Sequence, residues 1–157
     1  MTNPAYVLLL LAHILSALIG FGALGTTGVF ASRLRRRPDG DLSEGIRNYF
    51  RPGRNLAEQC VLTVPVFGFL LLFFGSHRDV SAVFPWIGLG LWSVVGIVAV
   101  EVIWPTEKEI QRMVATSEVS QMDRHRVGAL ARRLENGTAM VSLIGVVALI
   151  VMIGQPR

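Results

Sequence analysis

Residues 2–32 read TNPAYVLLLLAHILSALIGFGALGTTGVFAS, a run with no Asp, Glu, Lys or Arg. A membrane-spanning helix needs about 20 mostly apolar residues, so this stretch is long enough to cross a bilayer and too long for the core of a helix in a water-soluble domain. Working outward, three more uncharged runs follow at 59–77, 80–100 and 136–156. Charged residues make up 17% of the 157-residue chain, against about 25% in soluble domains. These runs exclude a soluble globular domain, a disordered tail and a disulfide scaffold. They predict an all-α polytopic membrane protein. The expected form is a single four-transmembrane-helix bundle, with spans at about 5–31, 56–74, 83–104 and 136–153.

The basic residues sit between the spans. Seven of the 15 Lys and Arg fall in 33–58 and six in 105–135, leaving Arg78 and Arg157. Short loops rich in Lys and Arg stay cytoplasmic, so both long loops are expected inside and both termini outside. The net charge of +4 is accounted for by orientation and by anionic lipid headgroups at these loops, and no nucleic-acid partner is expected. The Arg-dominated basic set points to a bacterial chain, hence to the bacterial cytoplasmic membrane. No basic residue precedes the first apolar run, and that run exceeds the core of a cleavable signal, about 7–15 residues. A single cysteine, Cys60, excludes an intrachain disulfide, a CxxC redox pair and an all-Cys metal site.

The loops carry helix signals of their own. Asp41 and Glu44 have the spacing of a capping box, and Leu42, Ile46, Tyr49 and Phe50 follow on one face. That pattern predicts a short amphipathic cytoplasmic helix lying among the headgroups. Asn55 and Glu58 form a second capping pair at the start of span two, which makes Glu58 a helix-start residue. Pro65 lies mid-span, where a kink is tolerated if a neighbour satisfies the freed carbonyl. Pro105 is expected to stop span three after Trp104. Thr106 and Glu109 then cap a short helix. Ser120 and Asp123 start a long one, from about Gln121 to Ile153, about 50 Å in length at 1.5 Å per residue.

Candidate chemistry is sparse. His13 is the one ionisable side chain well inside a span, which makes it a functional candidate by default. It shares a helix face with Ser16 and Gly20, and small residues at such spacing let helices approach closely. Gly22, Gly25 and Gly28 form a neighbouring face. The preferred reading of His13 is a hydrogen bond to a facing helix. The competing one is a proton or ligand role, binding haem or copper with Met152 as a conceivable second ligand. Glu101, three residues before Trp104, is expected to snorkel or to pair with a loop Arg near the cytoplasmic face. No GxSxG, HExxH, P-loop or CxxCH motif occurs, so neither catalytic residues nor an enzyme is expected.

The span LLLLAHILSALIGFGALG, residues 8–25, resembles the His-containing first span of small bacterial integral-membrane proteins in domain-of-unknown-function family 2269. Those proteins are loosely related to the membrane domain of copper-resistance D proteins. Trp104-Pro105, the Arg132-Arg133 pair and the ending VMIGQP at 151–156 agree with it. Where such proteins often have a Trp-Leu-Gly-Gly-like string, this chain has Ile19-Gly20-Phe21-Gly22. The resemblance implies a four-helix membrane fold with a His on the first span, and attaches copper or haem to His13 as a suggestion.

The expected function is that of a non-enzymatic integral membrane protein, an accessory or assembly subunit of a larger complex, acting as a homo- or hetero-oligomer with span one at the seam. The alternatives are a haem- or copper-handling protein using His13 and, less favoured because no polar path crosses the spans, a small-solute channel or transporter.

Overall fold

The computed structural model describes residues 4–36, 44–51, 58–74, 83–115 and 121–154. Its helices are α1 (Pro4–Arg35), α2 (Glu44–Tyr49), α3 (Cys60–Phe74), α4 (Phe84–Val98), a π-helical turn (Ala99–Ile103), α5 (Trp104–Ala115) and α6 (Gln121–Ile153). No strand occurs among the described residues. Three helices are long and apolar enough to cross a membrane: Pro4–Arg35, Pro85–Ala115 and His125–Ile153. The protein is therefore a helical, multi-pass integral membrane protein. The expected second span appears as α3, 15 residues long, about 22 Å at 1.5 Å per residue and short of a hydrocarbon core of about 30 Å.

α1 lies between α3 and α6, its two most extensive neighbours. α6 also packs along α4 and α5, and α3 meets α4 more lightly. Glycines set the distances in the α1 contacts. A Cβ on Gly20 would stand 2.5 Å from the Val61 nitrogen and 2.9 Å from its Cα, so α1 and α3 touch backbone to side-chain-free backbone. A Cβ on Gly28 would meet the Thr138 hydroxyl of α6 at 2.5 Å. Gly145 of α6 receives the Phe21 ring in the same way, at 3.0 Å. In lipid there is little hydrophobic force between helices, so such close approach supplies the attraction.

Pro65 removes the N–H that would bond the Val61 carbonyl four residues back. The indole N–H of Trp92 on α4 donates to that carbonyl at 2.8 Å. The neighbour that span two requires for its proline is thus Trp92.

Pro105 does not stop the third long helix. Trp104 N–H bonds the Ala99 carbonyl, five residues back, and this widened π turn makes room for a proline ring that would otherwise collide with the carbonyl of the preceding turn. The helix continues to Ala115. Thr106 is consequently a buried residue inside a helix, not the cap expected of it. α1 likewise runs one turn beyond Ala31, because Leu34 is buried with α2, α5 and α6. The long final helix, from Gln121 to Ile153, is as the sequence predicts. Asp41, Leu42, Asn55 and Ser120, assigned to caps and to the amphipathic face, lie outside the described residues.

Burial is concentrated at the Arg-rich end. Leu34, Ile46, Phe50, Ile103, Ile110, Ala131 and Leu134 form one cluster there, whereas the uncharged runs expose Leu8, Leu18, Leu143 and Ile150. Water at that end makes coverage of apolar surface favourable, and lipid elsewhere does not demand it. The apolar side of α2 is covered by the bundle: Ile46 and the adjoining Phe50 point into the protein, and Tyr49 stacks on Phe30 of α1 with ring centroids 4.0 Å apart.

Candidate functional site

His13 is half-buried against α3. Its Nδ1 lies 2.9 Å from the Val64 carbonyl, and because a carbonyl only accepts, Nδ1–H is the donor. A Cβ on Gly68 would stand 3.4 Å from the imidazole Cε1, so Gly68 makes room for the ring. Ser16 and Gly20 continue along α1 toward the tight contact with Val61. A Cβ on Gly25 would stand 4.0 Å from the Ser142 hydroxyl of α6, Gly28 abuts Thr138, and Gly22 has open space around it. The two expected glycine faces therefore divide between α3 and α6, with Gly22 outward. Glu101 is exposed on the π turn.

The Nδ1–H bond to Val64 leaves Nε2 as the ring nitrogen with a free lone pair, an arrangement that a packing histidine and a ligating one share. Met152, the second ligand that the haem or copper reading would use, has its methyl against Gly88 of α4. Among the described residues no group of three or more His, Cys, Asp or Glu is placed to hold a metal ion.

A second cluster, not foreseen from the sequence, lies at the Arg-rich end. Glu58, in the short turn before α3, and Glu107, on the first turn of α5, are 1% and 3% exposed. Both fall beyond the uncharged runs. Thr27 of α1 donates to Glu58 Oε1, and its oxygen is hydrogen-bonded with the Tyr49 hydroxyl of α2. The Trp104 indole and the Glu107 carboxyl lie close enough to Glu58 to act on its titration. Gln111 Nε2 donates to Glu107 Oε1 at 3.1 Å. One oxygen is left over: Glu58 Oε2 is buried without a hydrogen-bond partner.

Burial is the main force on the titration of all three acidic groups. It pushes the Glu58 carboxyl above the usual carboxylate range, with hydrogen bonds from Thr27 and others opposing. It pushes Glu107 up as well, reinforced by the charge of Glu58. Tyr49 is driven up to about 12 by burial, the Thr27 hydrogen bond opposing and the two carboxylates adding to it. Chemically, the cluster can hold and release a proton.

The sequence reading treats Glu58 as a helix-start residue and assigns Glu107 no role. A signal was present: Ile103, Glu107, Ile110 and Val114 recur at helical spacing, placing a carboxyl in an apolar stripe. It is visible only if the helix runs through Pro105, which the proline argues against.

No family model, no curated protein and no solved structure matches this chain.

Proposed function

We propose that this integral membrane protein is a non-enzymatic accessory or assembly subunit that works through helix contacts within the bilayer, as a homo- or hetero-oligomer with α1 at the seam. The observation that carries the reading is the use of small residues on α1. Gly20 and Gly28 are consumed by contacts with α3 and α6, while Gly22 has no atom within 4 Å of where its Cβ would be. Thr26, one turn on, is exposed and returns its hydroxyl to the Gly22 carbonyl at 2.9 Å. Gly22 and Thr26, with Leu18 exposed on the preceding turn, make an outward crease of the kind helices use for close association.

The proposal includes four crossings, with α3 as the short one, in a bacterial cytoplasmic membrane. Both termini face outward, and the Arg-rich segments 33–58 and 105–135 sit against anionic headgroups on the cytoplasmic side. Neither haem nor copper at His13 is part of it.

The test is the mass of the protein in native nanodiscs. The parent is expected to run as an oligomer or with a co-purifying membrane partner, and Gly22→Leu is expected to release a folded monomer, since the new side chain meets nothing inside the protomer. A monomeric parent, or a variant of unchanged mass, refutes the reading.

A further inference from the structure

The acidic cluster joins parts of the chain that are far apart in sequence. Thr27 comes from α1, Tyr49 from α2, Glu58 from the turn before α3, and Trp104 and Glu107 from α5. A carboxylate only accepts hydrogen bonds, so two ionised carboxylates placed against each other repel and leave Glu58 Oε2 buried without a donor. Like charges at this range, out of water, do not both ionise. A carboxylic acid on Glu107 supplies the missing donor, removes the repulsion and leaves a single charge, which Thr27 and Trp104 are placed to solvate.

We propose that Glu58 and Glu107 bind one proton between them, and that this proton latches α5 to the α1–α2–α3 junction at the Arg-rich end of the bundle. On release the proton passes to water, the pair goes from one negative charge to two, and α5 is pushed away. The π turn at Ala99–Ile103 is the natural pivot, because the helix ladder there is already shifted by one residue and Pro105 contributes no N–H.

The groups that face the pair from each packed element, among the described residues, are few. α2 presents Tyr49, which stays protonated through the physiological range. α5 presents neutral Gln111 and, beside Glu107, the exposed Lys108, whose charge partly offsets that of the pair. α1 presents Thr27, and its Arg35 is paired with Glu135 of α6 at 2.6 Å. α6 otherwise brings apolar Ala131 and Leu134 to the adjoining core. The half-buried Cys60 begins α3.

The sign of the pH effect follows from proton counting. Folding raises both carboxyls, so the closed state holds a proton that the open or unfolded chain has already released. The latch is complete on the acid side and weakens as pH rises through the titration of the pair, by up to about tenfold in the closed-to-open ratio per pH unit.

Cys60, two residues from Glu58 and the single cysteine of the chain, reports the opening. The experiment uses the full chain in nanodiscs. Infrared spectroscopy with isotope-labelled glutamate follows the carboxylic-acid C=O band, and alkylation of Cys60 follows access. Glu107→Gln keeps a donor and no charge, so it imitates the latched state and also corrects for the pH dependence of the thiol itself. The expected result is an acid band at neutral pH that disappears on raising pH and is missing from Glu107→Gln. Alkylation of the parent should outrun that of the variant by up to about tenfold per pH unit over the same range. No acid band in the parent at neutral pH overturns the proposal, and this holds even if the variant does not fold. Parallel alkylation of parent and variant overturns the latch. If sodium in place of potassium at constant alkaline pH restores protection, the pair is a cation site and the proton assignment fails.

Discussion

Gly20→Ala is the sharpest probe of the packing that holds the bundle. The added methyl would lie 2.5 Å from the Val61 nitrogen, 2.9 Å from its Cα and 3.1 Å from the Cys60 carbonyl carbon. All three are backbone atoms, so no rotamer change relieves the overlap, and α1 and α3 must separate by about 1 Å to restore the usual contact of about 3.5–4.0 Å between carbon atoms. Overpacking of this kind costs about 1–3 kcal/mol, and the rigidity of the obstacle puts the expectation in the upper half of that range. The same displacement stretches two hydrogen bonds across the interface, His13 to Val64 and Thr27 to Glu58. Opposing it, Ala is favoured over Gly in a helix by about 1 kcal/mol. Gly22→Ala receives the same helix benefit with nothing in its path, so the difference between the two variants isolates the packing cost. Reversible unfolding in mixed micelles, at a protein concentration where the assembly state is fixed, should place Gly20→Ala about 2–3 kcal/mol below Gly22→Ala. Stabilities within about 0.5 kcal/mol of each other would refute the claim that the two backbones meet at this glycine.

Three further outcomes are expected. Trp92→Phe leaves the Val61 carbonyl without its donor and should cost about 1–3 kcal/mol, and in a Pro65→Ala background, where residue 65 regains its N–H, the same substitution should cost less; equal costs in both backgrounds would separate Trp92 from the proline. His13→Ala should lower stability in detergent by about 0.6 kcal/mol and at most about 2, with no change in the visible spectrum; loss of a Soret band or of stoichiometric copper would establish a ligand role instead. In a Cys60-free background, a cysteine at Arg78 should label from outside while cysteines at Gly40 and Ser120 should not, and the opposite pattern would invert the proposed topology.

The sequence by itself determined what depends on composition and on periodicity along one helix. Uncharged runs such as 2–32 require a membrane, because no soluble core accepts so many apolar residues in a row. The capping signals and helical spacing before span four determined a helix from Gln121 to Ile153, since both are properties of neighbouring residues. Local rules also placed a burden on Pro65 that some neighbour had to meet. Only the tertiary structure decided which neighbour, Trp92, because the donor lies on another helix. The structure alone decided that the apolar side of α2 is covered by the protein itself, since an amphipathic face does not name the surface that covers it. Pro105 shows where local reasoning fails: proline is a helix stop on its own terms, and a π turn absorbs it when the residues beyond it, Thr106, Glu107 and Ile110, are buried by the bundle. With the helix broken there, Glu107 merely begins a separate short helix; with the helix intact, it is carried to Glu58. The carboxyl pair was not legible for that reason, because its two members are 49 positions apart and meet only through the packing of α1, α2 and α5.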